Sequence, residues 1–579
     1  MSMSASVPST PASEIASKHA VQKAFFDSSA TRSLPFRRTY LHALVALLRE
    51  NLSALTAALS ADLGKSAFES QITEVEVVIA EALDAAHNLR SWNASESVSS
   101  PGVLFPSTCE IKVDPRGVVL IVGPFNYPIS LILGPLVSAL AGGNCAVLKP
   151  SELCPHVSNV IARLVPLYFP PALVTVVEGA IPETTVLTSL PWGLIFFTGS
   201  GRVGSIIAEA AAKTLTPCVL ELGGKSPVII ARDHPHVETM CNRILWGKTI
   251  NAGQTCVAPD YVLCHSSVLS EFLDGLKAAS ARMFNGNEKS GGVFSRNVSE
   301  AHTRRLASLV EDALSAGGKL ILGGTESADV AARFLAPTVV LAPPKTCRIM
   351  TEEIFGVLLP IISYDDEAEA VSFVRSLAGP PLALYVFTTS SETYERLSTL
   401  LPSGGSCRND VVLHFAVGTL PFGGIGGSGY GAGHGIAGFK TFTHRRGSLE
   451  RHCGPASEFM GIRYPPYNKF GGKSGIVFLF LMRRLPFVPP IDRRVALKFA
   501  SLTVGVTVLA KIVAGDDDSS FRVGLRVGFL VSFWFVVASI ASDRFCDWLE
   551  ERTGIALSSV SRGSNTDLAV NKRRDDDFV

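Results

Sequence analysis

Two spacings of apolar residues alternate along most of this chain. From about Val21 to Trp92 the spacing is helical: Leu41, Leu44, Val45 and Leu48 fall at i, i+3, i+4 and i+7 and form one apolar face. Cys109 to Val113 then predicts a short strand. Val118 to Val122 is a continuous β-branched run closed by Gly123-Pro124, the pattern of a strand buried on both faces. A helix is expected over Ile129 to Ala141. A second buried strand follows over Cys145 to Leu148 and ends at Lys149-Pro150. A third, Leu194 to Phe197, ends at Thr198-Gly199 ahead of a helix over Val203 to Lys213. Strands alternating with helices predict an α/β class with a doubly wound sheet and ligands at the C-terminal strand ends. From about Ser226 to Pro402 the alternation resumes, with a strand at Pro227 to Ile230 and a helix over Asp365 to Leu377, and predicts a second α/β domain. Gly423 to Gly435 is too glycine-rich for anything but a turn system.

The C-terminal pattern differs in kind. Phe499 to Gly515 is apolar or small except for Lys511, and Val523 to Ser542 except for Arg526. The second run has 20 residues, about 30 Å as a helix and enough to span a bilayer; the first, with 17, is at the short end. Asp516-Asp517-Asp518 lies between them, and Arg483, Arg484, Arg493, Arg494 and Lys498 precede them. The excess of positive charge places that side in the cytosol, so a transmembrane hairpin with its acidic turn across the membrane is expected. The alternatives are an interfacial first helix with one span, and two buried core helices. The tail after Asp543 is expected to be disordered, as is the Ser/Ala/Pro-rich start, Met1 to Ser13, which lacks the apolar core of a signal peptide.

Composition narrows the function. The 579 residues carry a net charge of +1, which gives no nucleic-acid footprint. Eleven cysteines occur without a CxxC pair or a His/Cys cluster at zinc spacing, which argues against a metal site and a disulfide framework and for a reducing compartment. The sequons at Asn51, Asn93 and Asn297 then carry no meaning. Mean hydropathy is +0.30, high for a soluble enzyme.

Candidate chemistry lies on three segments. Cys256 closes Asn251-Ala252-Gly253-Gln254-Thr255-Cys256, 35 residues after Glu221 in Leu220-Glu221-Leu222-Gly223-Gly224-Lys225. A cysteine and a carboxylate on glycine-flanked segments suit a thiol nucleophile and a general base. Asn126, in Pro124-Phe125-Asn126-Tyr127-Pro128, supplies an amide donor for an oxyanion. On composition alone Cys256 is one buried cysteine among many, Glu221 a partner for Lys225, and Asn126 a turn residue. Gly199-Ser200-Gly201-Arg202-Val203-Gly204 fits GxGxxG between a strand and a helix, a weak signal by itself, and the usual rule would take Glu221 as its ribose-binding acid.

Together these segments resemble the catalytic set of the aldehyde dehydrogenase family, and the resemblance runs from about Val21 to Arg446. It implies Cys256 as nucleophile, Glu221 as the base that activates water against a thioester, and Asn126 with the Cys256 amide as oxyanion hole. Glu221 is then no ribose ligand. Lys149 and Glu152 would take the adenosine ribose, and Gly199, Ser200, Gly201 and Gly204 the pyrophosphate, with Gly201 standing where the family commonly has threonine. Gly223 would allow close approach to the cofactor, Glu353 and Phe355 would grip the nicotinamide ribose and ring, and Tyr127 and His414 would wall the substrate pocket. The cofactor implied is NAD or NADP.

Asn409-Asp410-Val411, His414, Pro421-Phe422-Gly423-Gly424, His434-Gly435 and Phe442-Thr443-His444-Arg445-Arg446 resemble the class 3 branch, which includes membrane-bound fatty aldehyde dehydrogenases; Arg463-Tyr464-Pro465-Pro466 before an apolar anchor fits the same members. The expected division is a tail at 1–13, a cofactor domain at 14–221, a catalytic domain at 222–405, a return to the cofactor domain with an oligomerisation tail at 406–446, a membrane-proximal segment at 447–492, a membrane hairpin at 493–545 (499–515 and 523–542) and a polar tail at 546–579. Within the membrane-proximal segment, the apolar stretch 474–482 would guard a substrate funnel. The function implied is oxidation of long-chain apolar aldehydes by a homodimer anchored in a bilayer, with isoprenoid or apocarotenoid aldehydes as the alternative. An acylating, coenzyme A-linked reaction is disfavoured by Glu221, and a non-enzymatic scaffold by the intact trio. Endoplasmic reticulum, outer mitochondrial membrane and lipid droplet all suit such an anchor.

Overall fold

A computed structural model describes residues 7–451 apart from 102, 103, 105, 106, 287, 290–293 and 378, and beyond these only 453, 465, 487 and 488. Both expected membrane spans, the 474–482 segment and the polar tail lie outside the described residues. Among the described residues no single helix is long and apolar enough to cross a membrane. The contacts divide the chain into two compact units, Met1–Ala94 with Lys112–Arg446, and Ser95–Ile111 with Gly447–Val579. In the second unit Glu96–Val98 pairs antiparallel with the stretch from Cys109 to Ile111, and Phe487–Val488 with Ser100–Pro101.

The first unit holds two sheets. One is built from β1 (Val118–Val122), β2 (Cys145–Lys149), β3 (Val174–Val176), β4 (Leu194–Thr198) and β5 (Cys218–Glu221). These run parallel in the order 5-4-1-2-3, so the strand order reverses between β1 and β4 and opens a crevice at their C-terminal ends. β1, β2 and β4 are buried at every position, which is why they read as unbroken apolar runs rather than as alternation.

The second sheet contains β6 (Pro227–Ile230), β7 (Tyr261–His265), β8 (Lys319–Leu322), β9 (Thr338–Leu341), β10 (Leu358–Tyr364), β11 (Ala383–Phe387) and β12 (Gly405–Arg408), ordered 8-9-10-7-6-11-12. Its side chains alternate between two cores. Val228, Ile230, Val262 and Phe387 face one, Ile229, Leu263, Leu384 and Val386 the other. β12 carries this sheet three residues past the expected boundary at 405. Only then does the chain return, as β13 (Gly429–Tyr430), which pairs antiparallel with β5 at the edge of the first sheet. Gly429 is obligatory there: its φ is +125°, and a Cβ would stand 1.9 Å from the Leu220 carbonyl oxygen.

The expected N-terminal helices appear as α1 (Ala12–Asp27), α2 (Leu34–Glu50), α3 (Leu52–Leu63), α4 (Ala67–Ser70) and α5 (Glu76–Trp92). The face predicted on α2 is the buried one: Leu41, Leu44 and Leu48 have no exposed area. The disordered start reached too far. Residues 1–6 lie outside the described region, but the Thr10 amide donates to the Glu178 carbonyl at 3.1 Å, Ser9 Oγ donates to Glu183, and α1 begins at Ala12. Residues that look like a polar tail serve here as hydrogen-bond partners of the first sheet's periphery: Ser9 donates to Glu183, and the Thr10 hydroxyl accepts the Glu178 amide.

Candidate active site

The nucleophile candidate sits on a loop whose conformation few sequences would adopt. Asn251, Ala252 and Gly253 take φ of +53°, +54° and +72° in succession, costly for the two residues with a Cβ. Neighbouring groups hold them there. Gln254, fully buried, donates through Nε2 to the carbonyls of Asn251 and Arg296 at 3.0 Å and accepts the Val298 amide at 2.8 Å. Asn251 Nδ2 donates to the Asn126 carbonyl at 2.7 Å, and the Asn251 amide donates to Glu69 at 2.7 Å. The loop leaves Cys256 partly exposed at the wall of a cavity.

Asn126 is 3% exposed, and its side-chain amide donates to the Gln254 carbonyl at 3.0 Å, two residues before Cys256. One amide hydrogen thus fixes the side chain, and the second remains for an oxyanion. Behind it Lys65 and Glu74, both fully buried, meet at 2.5 Å; Lys65 also donates to the Asn126 carbonyl at 3.2 Å. Glu74 accepts the amides of Ile129 and Ser130 at 2.8 and 3.2 Å, at the start of α6 (Ser130–Gly142). It projects from a single π turn, Gln71–Val75, which spacing rules for α-helices do not reveal.

Glu221 ends β5 in register with Thr198 and lines the same cavity as Cys256. It is 5% exposed, and neither carboxylate oxygen has a partner among the described residues. Burial pushes its carboxyl up to about 8. Burial likewise pushes the Cys256 thiol up to about 12, with the carboxylates of Glu353 and Glu221 adding to the shift. The resting cysteine is therefore a thiol at neutral pH, and a base must take its proton before it can attack.

The cofactor candidates gather around the crevice. Lys149, at the end of β2 and 2% exposed, donates to the Pro150 carbonyl at 2.7 Å and meets Glu152 at 3.4 Å. Burial lowers its pKa, partly offset by Glu152. Ser200 caps α7 (Gly201–Ala212), and a Cβ on Gly201 would touch nothing within 4 Å, so the helix N-terminus is open to an anion. Gly223 packs against Glu353, whose carboxylate accepts the Gly224 amide at 3.2 Å. Phe355 has φ +49° and sets its ring edge against Phe125 at 5.7 Å. Thr198 Oγ1 is buried on the cavity wall, without a partner among the described residues. An open helix N-terminus beside a buried lysine, with orphaned oxygens farther in, fits a dinucleotide with its phosphates outside and its ring inside.

The two substrate-wall residues are placed differently from expectation. The Tyr127 hydroxyl lies 2.7 Å from Thr255 Oγ1, and the Lys65 ammonium lies over its ring at 4.2 Å. His414 packs against Tyr385 and Phe422. Neither is among the residues that line the cavity at Cys256. The cavity wall is instead Val77 and Val78 of α5, Leu131 and Pro135 of α6, and Phe415 and Phe422. A polar contact also faces it: His434 Nδ1 lies 3.0 Å from Glu81 Oε1. Phe422 and His434 entered only as parts of motifs that carried the family resemblance; pattern reading missed the others, since the apolar ones look like core and Glu81 like a solvated helix position.

Comparison with known proteins gives a consistent picture. The profile of the aldehyde dehydrogenase family matches residues 2–447. The chain is 40% identical over 441 residues to the "Aldehyde dehydrogenase, dimeric NADP-preferring" of Rattus norvegicus, covering 76% of this chain and 95% of that one. It is 39% identical over 445 residues to the 4,4'-diaponeurosporen-aldehyde dehydrogenase of Staphylococcus aureus, covering 77% and 95%. The solved structure of a substrate-bound Staphylococcus aureus AldH superposes with a TM-score of 0.76 at 37% identity, covering 81% of this chain and 99% of that one.

Proposed function

Because this chain belongs to the aldehyde dehydrogenase family and is an oxidoreductase acting on aldehydes with NAD or NADP, we propose that its substrates are long-chain apolar aldehydes. The observation that carries this reading is the cavity at Cys256, where Val77, Val78, Leu131, Pro135, Phe415 and Phe422 form an aliphatic and aromatic wall. A saturated chain gains about 0.8 kcal/mol per buried methylene in such a wall, so affinity rises with length while the wall lasts. The apolar C-terminal runs support delivery from a bilayer, with the catalytic part in the cytosol.

In the mechanism that follows, Glu221 accepts the Cys256 proton and the thiolate adds to the aldehyde carbon, giving a thiohemiacetal. The second hydrogen of the Asn126 amide and the Cys256 backbone N–H stabilise its oxyanion. The chemistry that a bound NAD or NADP supplies is acceptance of the hydride whose loss leaves an acyl thioester on Cys256. Once Glu221 has passed the cysteine's proton to solvent, it takes a proton from water, which attacks the thioester; collapse releases the carboxylic acid and the Cys256 thiolate, which recovers its proton from Glu221. Asn126→Ala is expected to lower kcat about 10²- to 10³-fold with little change in cofactor binding, measured by initial rates and NADPH titration.

Two further readings have specific support. An isoprenoid or apocarotenoid aldehyde is equally apolar, and the name of the Staphylococcus aureus relative supports it. A homodimer is supported by the name of the rat relative. The test uses detergent-solubilised full-length protein with acetaldehyde, hexanal, hexadecanal and a polyene aldehyde, with Cys256→Ser as blank. kcat/KM climbing from acetaldehyde to hexadecanal is the expected result, and the polyene ranks its variant. Activity confined to short or aromatic aldehydes would end the long-chain reading.

A further inference from the structure

Three segments meet at the site, and one ion pair ties all of them. Lys225 follows Glu221 by four residues, and Asp260 follows Cys256 by four. Their side chains are 10% and 4% exposed and form a direct salt bridge. The Lys225 ammonium also donates to the carbonyls of Ile349 and Glu352, each at 2.9 Å. The second Asp260 oxygen accepts the Ile354 amide at 2.9 Å, and the Asp260 amide donates to the Ser226 carbonyl at 2.8 Å.

Glu353 is thus held through both of its neighbours, by the carbonyl before it and the amide after it. It has no regular structure of its own to rely on. The helix Arg348–Thr351 stops just ahead of it, the chain beyond is irregular, and Phe355 carries a positive φ. A buried pair is costly to desolvate and is commonly no more stabilising than apolar replacements. Its worth here lies in what it orients.

We propose that Lys225 and Asp260 are positioning residues that fix the Glu353 carboxylate for the cofactor, by clamping the backbone on either side of it to the segments bearing Glu221 and Cys256. The clamp acts on the cofactor's end of the site and leaves the nucleophile alone, since the Cys256 loop has its own set of bonds through Gln254 and Asn251. The proposal rests on the reading of Glu353 as a cofactor ligand.

The test compares full-length wild type, Lys225→Gln/Asp260→Asn and Glu353→Gln. Three quantities are read: the dissociation constant for NADPH by fluorescence, the KM for hexanal, and the rate of Cys256 alkylation by iodoacetamide. The double variant removes both charges of the pair together. It is expected to weaken NADPH binding about 10- to 100-fold, the scale of an ångström-level misplacement, with the other two readings unchanged. Asp260→Asn alone still offers an acceptor to Ile354 and is the lighter perturbation should the double variant fold poorly; a smaller rise in the same constant is expected. A folded double variant that binds NADPH like wild type would overturn the clamp, whatever its melting temperature. If Glu353→Gln weakens NADPH while the double variant does not, the clamp alone falls. If Glu353→Gln also binds normally, the cofactor role of Glu353 falls and takes the clamp with it.

Discussion

Cys256→Ser is expected to lower kcat for aldehyde oxidation by about 10⁴-fold or more, with NADPH affinity unchanged. Serine is smaller by little and fits the same strained loop, so the fold and the cofactor crevice should persist. What is lost is the nucleophile. A hydroxyl is far harder to deprotonate than a thiol, and the site already pushes the Cys256 thiol up to about 12. Burial and two carboxylates that oppose a thiolate oppose an alkoxide still more. Stopped-flow measurement with hexanal is the check: wild type should form reduced cofactor within the first turnover, and the serine variant none. A serine variant within about tenfold of wild type would remove covalent catalysis at this position from the account.

The second large effect is at Glu221. Glu221→Gln is nearly isosteric and cannot accept a proton from water. Steady-state turnover should fall about 10²- to 10⁴-fold. In the variant the Cys256 proton must leave to solvent instead, once per active site, which slows acylation without abolishing it, so a slow burst of reduced cofactor, equal to the enzyme present, should survive where turnover does not. The pH dependence follows from burial. The wild-type carboxyl is pushed up to about 8, so the basic form grows as pH rises and the rate should climb through pH 8; the glutamine variant should lose that climb. Stability runs the opposite way. The folded state holds a proton on Glu221 that the unfolded chain has released above about pH 4.5, so the wild type is penalised increasingly from pH 4.5 to 8. The variant should therefore gain melting temperature relative to wild type between pH 5 and pH 8.5.

Much of the scaffold was legible in the apolar runs. Val118 to Val122 and Pro227 to Ile230 appear as strands with the expected ends, because strands buried on both faces leave no polar residue to blur them. The return of the chain to the first sheet was legible only by resemblance: β13 is two residues long, and a glycine-rich run does not announce a strand. The trio Asn126, Glu221 and Cys256 was found because its local sequences are unusual. The residues around it were not. Lys65 and Glu74 look like exposed charges on a helical segment, and only the π turn directs Glu74 inward. Tyr127 and His414 were expected on the substrate wall by resemblance, and sequence alone does not show which neighbours hold their rings. Here Thr255 and Lys65 hold one, and Tyr385 and Phe422 the other.

The central claim is that Cys256 carries the acyl group and Glu221 releases it. The most direct test is peptide mass spectrometry of full-length Glu221→Gln quenched after mixing with hexadecanal and NADP⁺. The account predicts an added hexadecanoyl group on the peptide containing Cys256, absent when the cofactor is omitted and absent from wild type at completion. An unmodified Cys256 in a variant that has nonetheless produced reduced cofactor, or an acyl group on another residue, would contradict it.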